Sequence, residues 1–252
     1  MCRHLAYLGP VVTLGELLSE PEHSLVRQSW EPRHQRSGTV NADGFGVGWY
    51  AQDDPVPARY RRSGPVWGDL TFADLARVVR TGAALAAVRD GTVPGADGEA
   101  AAAPFADGPW LFSHNGSVRN WPESAAPLAA GLPPAELLRL AARTDSALVW
   151  ALVLQRLRSG DDLGTALAEP VRELASAAPG SRLNLLLTDG VTIAATAWGD
   201  SLWYLADARS RRTVVASEPY DDDTRWREVP DRTLLTATRT RVELTPLKEN
   251  SP

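Results

Sequence analysis

Apolar and polar positions change their period along the chain, and the changes mark out elements. Arg3 to Leu8 is short and mostly apolar and stops at Gly9-Pro10, the pattern of a strand followed by a turn. "NADGFGVGWYA", Asn41 to Ala51, ends in an alternating run that predicts a second strand with Asp43-Gly44 as its turn, broken by Pro55 and Pro57. Helical spacing from Leu70 to Val79 predicts a helix, and the apolar run from Ala83 to Val88 predicts a buried strand with Arg89 at its end. Gly91 to Gly108, rich in Pro, Gly and Ala, predicts a long surface connection of the kind that covers sites. Trp110 to Ser113 resumes as a strand and runs into His114-Asn115-Gly116.

Between Pro134 and Gly160 two helical stretches divide near Thr144, which has the chemistry of an N-cap and puts Asp145 in a first helical turn. Another helix is predicted from Leu163 to Ala178, stopped by Pro179-Gly180. Strands then dominate. Arg182 to Thr188 and Val191 to Ala197 flank the hairpin signal Asp189-Gly190, and Ser201 to Leu205, Thr213 to Ala216 and Arg241 to Thr245 continue in that style. Strands at both ends with helices between and beside them imply an α+β fold of two stacked sheets covered by helices, with residues 1–252 as one domain.

Composition refines this picture. The 252 residues, 44% hydrophobic and 23% charged, suit a packed globular core. A net charge of -5 argues against nucleic acid and anionic membranes as partners, so a small molecule is the expected ligand. The N-terminus lacks the long apolar region of a signal peptide, and the most apolar stretch, Ala147 to Leu154, is too short to span a bilayer; the cytoplasm is the expected location. A single cysteine excludes an internal disulfide and a Cys-based zinc cluster.

That cysteine is Cys2. Loss of Met1 would place a thiol and an α-amine on one residue, and an α-amine, which titrates near about 7.7–8.0, can serve as the general base for its own thiol. A small buried cysteine is the commoner fate of such a residue taken alone. Metal binding by Cys2 and His4 has no supporting ligand spacing, so no metal is expected, and no Gly-x-Ser-x-Gly elbow points to a serine hydrolase.

The wider pattern resembles the glutaminase domain of class II glutamine amidotransferases from Cys2 to about Thr188. The carriers are Cys2 itself, the glycine-rich "NADGFGVGWY", "VRDGT", "SHNG" and "RTDSAL", in that order. The resemblance implies an N-terminal-nucleophile hydrolase with a four-layer αββα sandwich and no cofactor. It makes Cys2 the nucleophile that attacks a γ-glutamyl amide. Asn115, through its side chain, and Gly116, through its backbone N–H, become the oxyanion donors. Arg89, with Thr92 nearby, takes the substrate α-carboxylate, and Asp145 takes the α-ammonium. The segments "VWGDLTFADLA", "PFADGPWLFSHNG", "RLNLLL", "ASEPYDDD" and "VPDRTLL" resemble a branch of the family that hydrolyses a γ-glutamyl conjugate without a synthase domain. An ammonia-supplying glutaminase subunit and a non-catalytic binding module are the alternatives.

Each residue also has a plainer reading: Arg89 as a surface ion-pair partner, Asn115-Gly116 as a tight turn, Asp145 as a helix-dipole partner and His114 as structural. For a cationic leaving group, Trp30 is a candidate aromatic face, with Asp43 or Asp221 to Asp223 as candidate carboxylates.

Overall fold

In an extended strand successive side chains face opposite sides. Along β1 (Arg3–Thr13), Leu5 and Tyr7 join one apolar cluster while Ala6 and Leu8 join another, so this strand already separates two layers. The computed structural model describes residues 2–35, 38, 40–91 and 98–248. After β1 come α1 (Leu14–Leu18), α2 (Leu25–Gln28), β2 (Phe45–Trp49), β3 (Ala58–Arg62), α3 (Leu70–Val78) and β4 (Arg80–Val88). The middle of the chain forms β5 (Phe105–Asp107), β6 (Trp110–Ser117), α4 (Ala126–Ala130), α5 (Pro134–Leu138), α6 (Asp145–Arg158) and α7 (Leu163–Ala177). It closes with β7 (Arg182–Thr188), β8 (Ile193–Ala197), β9 (Trp203–Asp207), β10 (Arg212–Ala216), β11 (Arg227–Glu228), β12 (Thr233–Ala237) and β13 (Val242–Pro246).

The strands form a seven-stranded sheet, ordered β11-β9-β10-β1-β4-β2-β3, and a six-stranded sheet, ordered β13-β12-β8-β7-β6-β5. Between them lie Ala6, Leu8, Leu85, Leu111, Leu186 and Leu235, the buried side chains of two facing sheets. Leu14, Leu17, Phe72 and Ala76 of α1 and α3 cover the outer face of the first sheet. Val149, Val153, Leu167 and Val171 of α6 and α7 cover that of the second. The result is the expected α+β arrangement of helix, sheet, sheet and helix. Among the described residues no helix is long and apolar enough to cross a membrane.

Several expected boundaries move. β1 does not stop at Gly9-Pro10: it continues to Thr13 through an irregularity between Leu8 and Val12. The Tyr7 ring folds back over Gly9, where a Cβ would lie 2.5 Å from its Cζ, and its hydroxyl donates to Pro10 O at 2.7 Å. Thr13 then caps α1 reciprocally with Glu16. Asp43-Gly44 does not turn a hairpin; Asp43 N–H donates to Arg89 O at 2.9 Å and Arg89 N–H to Gly44 O at 2.7 Å, extending the β2–β4 ladder. The polar "ARYRR" forms an edge strand, β3, which alternation of apolar residues could not announce. In the stretch expected to be a surface connection, Ala101 and Ala102 are buried beneath β3 residues, Arg61 donating to Ala102 O at 3.1 Å. Residues 92–97 of that stretch lie outside the described residues.

Leu111 sits between the sheets, and Gly48 opposite leaves it room: a Cβ there would lie 2.7 Å from both Leu111 methyl carbons. Leu111→Ala is therefore expected to lower unfolding free energy by about 2–5 kcal/mol. Urea denaturation with an unchanged m-value checks this; a loss under 1 kcal/mol, order-of-magnitude, would mean that the two sheets close up around the gap.

Candidate active site

The ladder around β1 determines where Cys2 stands. Arg3 pairs with Val88, the last residue of β4, so one step further along the same antiparallel register Cys2 lies across from Arg89. Cys2 also shares the inward face of β1 with His4, whose Nδ1 is 3.2 Å from Ser113 Oγ on β6. Two residues on, Asn115 lies on that same inward face of β6 and Gly116 follows it. From the outer layer, α6 brings Asp145 at its first turn, its N-cap Thr144 accepting from Ala147 N–H at 3.3 Å.

These elements enclose a cavity of 350 Å³ lined by Cys2, Arg89, Gly116 and Asp145 together with Trp121 and Arg143. A smaller void of 30 Å³ adjoins Cys2 on the side of Ser113, His114 and Ser146, about the space of one water molecule. Four of the expected site residues thus meet in one place. Asn115 does not line the larger cavity; it is fully buried just behind Gly116. Thr92 lies outside the described residues.

The charged groups are held by backbone. Arg89 donates from Nη1 to Asp43 O at 3.2 Å. Asp145 accepts from Val118 N–H at 2.8 Å through Oδ2 and from Ser146 N–H at 2.7 Å through Oδ1. A carboxylate offers about four lone-pair directions, so acceptor capacity remains for a ligand. A cation and an anion therefore face one cavity across a nucleophile, which suits a ligand carrying both charges.

Gly116 is required by its surroundings. Its φ is 153°, and a Cβ would collide with the Arg182 carbonyl, 2.6 Å from its carbon, and approach His114 Nε2 at 2.9 Å. Asn115 offers its Nδ2 to Ser217 Oγ at 3.5 Å, while its Oδ1 is buried with no partner among the described residues. Burial pushes the Cys2 thiol above its usual range, against the pull of the Asp90 backbone N–H and the Arg89 charge. Left to itself the thiol stays protonated, so attack requires a base at hand.

Some of the lining was illegible beforehand. Trp121, Arg143 and Ser146 reach the cavity from loops and the first turn of α6, with no periodic signal to single them out. Trp30 is not among the lining residues; it packs edge-on against Trp67, ring centroids 5.6 Å apart. Asp43 accepts from Gly91 N–H at 2.8 Å, and Asp221, Asp222 and Asp223 bond to Trp226, Arg33 and Arg225 respectively, away from this lining.

Comparison with known proteins follows the same lines. Residues 20–209 match the family described as glutamine amidotransferases class-II. The gamma-glutamyl-hercynylcysteine sulfoxide hydrolase of Mycolicibacterium smegmatis is 42% identical over 98% of this chain and 100% of its own length. Its namesake in Mycobacterium tuberculosis H37Rv is also 42% identical, over 98% of this chain and 97% of that protein. Among solved structures, a glutamine aminotransferase class-II domain protein from Silicibacter pomeroyi superposes with a TM-score of 0.70 at 25% identity, covering 98% of this chain and all (100%) of that one.

His4 supplies a test of the buried end of this site. Burial, first, and then the charge of Arg3 push its pKa down to about 3, so the folded protein holds it neutral. The unfolded chain protonates it near about 6.5. Stability is then lost as pH falls below that unfolded value, by about 1.4 kcal/mol per unit, until the folded value is reached. His4→Asn is expected to flatten the decline between pH 6 and pH 4, roughly by that slope, as read by urea unfolding at each pH. Equal slopes in the two proteins would show that His4 takes up its proton in the folded state.

Proposed function

The chain belongs to the class II glutamine amidotransferases, and we propose that residues 1–252, with Met1 removed, work as one catalytic domain in which Cys2 is the nucleophile. The reaction is hydrolysis of the γ-glutamyl amide of γ-glutamyl-hercynylcysteine sulfoxide, the substrate in the name of relatives 42% identical over 98% of the chain. The observation that carries the site assignment is the convergence of Arg89, Asp145, Cys2 and Gly116 on one cavity. A γ-glutamyl group ends in an α-carboxylate and an α-ammonium. The planar Arg89 guanidinium matches the first, and the backbone-held Asp145 carboxylate matches the second. Thr92 belongs to the carboxylate side of this assignment by its place in "VRDGT".

The chemistry follows from the groups present. With Met1 removed, the Cys2 α-amine takes the thiol proton, and the thiolate attacks the γ-carbonyl carbon. The C–N bond breaks as the amine returns the proton to the departing nitrogen, leaving a γ-glutamyl thioester. Water, activated by the same amine, adds to the thioester; the C–S bond breaks, and glutamate and the thiol are regenerated. Through both steps the negative oxygen is held by Gly116 N–H and the Asn115 amide, worth about 2.7–4 kcal/mol per donor in comparable sites. For Asn115 to donate, its amide turns so that Ser217 Oγ, now 3.5 Å from Nδ2, donates to Oδ1 instead. That leaves Nδ2 for the oxyanion.

Cys2→Ala removes few contacts and is expected to keep its fold while releasing no glutamate, and intact mass of active enzyme is expected to begin at Cys2. Full turnover with Met1 retained would overturn the amine's role as base. Arg89→Met is expected to lower kcat/KM by roughly thirtyfold, about 2 kcal/mol, through the unpaired substrate carboxylate. Glutamate release from the sulfoxide conjugate is expected to exceed that from glutamine. If glutamine is hydrolysed equally well, supply of ammonia to a separate synthase becomes the better reading.

A further inference from the structure

His114 takes no part in the chemistry above, yet it is 3% exposed and touches both halves of the site. Its Nε2 lies 3.0 Å from Arg182 O and its Nδ1 lies 3.0 Å from Ser146 Oγ. A backbone carbonyl only accepts, so Nε2 carries the hydrogen. In the neutral ring Nδ1 is then an acceptor, and the Ser146 hydroxyl donates to it. The two contacts lead in different directions. Arg182 O is the atom that fills the space a side chain at Gly116 would need, and His114 Nε2 stands 2.9 Å from the same point. Ser146 follows Asp145 directly: its N–H donates to Asp145 Oδ1 at 2.7 Å, and its Oγ is 3.4 Å from that oxygen.

We propose that His114 is a positioning residue with two separable tasks, one at each ring nitrogen. The proposal rests on the reading of Gly116 as oxyanion donor and Asp145 as partner of the substrate ammonium. At the first end, glycine has no side chain to restrain the peptide that carries its N–H, and at a φ of 153° the restraint comes from neighbours. The Nε2–H bond holds the Arg182 carbonyl against Gly116 and so keeps that N–H aimed. At the second end, the Ser146 hydroxyl has one hydrogen to give. Engaged by Nδ1, it is withheld from Asp145 Oδ1, whose remaining lone pair stays open to the ligand. Without Nδ1 the hydroxyl turns to the carboxylate and competes with the substrate ammonium.

The two tasks come apart in two substitutions. The His114→Gln amide nitrogen reaches the place of Nε2 but offers nothing at Nδ1, whereas His114→Asn keeps an acceptor near Nδ1 and falls short of Arg182. With the sulfoxide conjugate as substrate, His114→Gln is expected to raise KM about three- to tenfold with kcat within twofold, the worth of one hydrogen bond. His114→Asn is expected to lower kcat by a similar factor, about three- to tenfold, with KM nearly unchanged. Adding Ser146→Ala to His114→Gln removes the competing hydroxyl and is expected to bring KM back toward the wild-type value, a rescue that a merely structural role would not give. Should the variants fail to fold, histidine ¹⁵N spectra of the wild-type protein decide: the Nε2–H tautomer at His114 is expected, and the Nδ1–H tautomer overturns the proposal. Variants that move kcat and KM together, without rescue, also overturn it. A wild-type enzyme that releases glutamate from neither the conjugate nor glutamine defeats the functional reading and this one with it; an active wild type with silent His114 variants defeats this one alone.

Discussion

The placement of Cys2 depends on a strand hydrogen-bonded along both edges. β1 pairs with β4 on one side and β10 on the other, with Arg3 opposite Val88 and Leu5 opposite Ala216. A nucleophile on a chain terminus would otherwise fray, since the first residues of most domains are loosely held. Here the first hydrogen-bonded pair begins one residue after Cys2, and burial of Arg3 and His4 on opposite faces makes a slip of register costly, because it would turn Arg3 into the layer between the sheets and take His4 away from Ser113. The same pairing delivers Arg89 at the end of β4, so the Cys2 thiol and the Arg89 guanidinium are positioned by one ladder.

The second sheet contributes the rest through a different constraint. Gly116 tolerates no Cβ because the Arg182 carbonyl occupies that space, and α6 presents Asp145 beyond it with two backbone N–H groups already bonded to the carboxylate. The Gly116 peptide and the Asp145 carboxylate are thus both held in place by their neighbours, the condition under which electrostatic preorganisation has its largest effect. The cavity lies where the ends of the two sheets and the start of α6 meet, so the separation of Arg89 from Asp145 follows from the packing of those elements.

Local signals read the fold: Thr144 as cap and the helices at Leu70 and Leu163 were legible from capping chemistry and apolar spacing. The site was legible through the order of motifs that resembles the family, since Arg89, Asn115-Gly116 and Asp145 each had a plainer local reading; Asn115 and Gly116 lie within β6 rather than in a turn, and the structure gathers Cys2, Arg89, Gly116 and Asp145 at one cavity. Trp121, Arg143 and Ser146 were not legible, since nothing in their neighbours' pattern distinguishes them and only tertiary packing brings them to the cavity. Gly9-Pro10 misled because the Tyr7 ring closes over the glycine and lets the strand continue, and β3 was hidden because an edge strand of arginines lacks apolar alternation. Trp30, beside a polar segment, packs edge-on against Trp67 rather than facing the cavity.

The inner layer of the sandwich is apolar along most of its length and turns polar at the end where Cys2 stands, and two asparagines there behave differently. Asn115 and Asn184 are direct partners across β6 and β7 and both are fully buried. Asn184 is saturated: its Nδ2 donates to Asp200 O at 3.0 Å and Ser201 O at 3.2 Å, and its Oδ1 accepts from Trp198 N–H at 2.8 Å and Asp200 N–H at 3.2 Å. Among the described residues Asn115 has one contact at the limit of bonding, 3.5 Å, and an Oδ1 without a partner. A buried amide left short of bonds costs about 1–3 kcal/mol, so a purely structural asparagine at this position would be expected to find partners as its neighbour does. The shortfall falls beside Gly116, on the face of β6 that looks toward Cys2. The unpaired Oδ1 and the long Nδ2 contact leave the Asn115 amide the less anchored of the two, at the strand end that approaches Cys2.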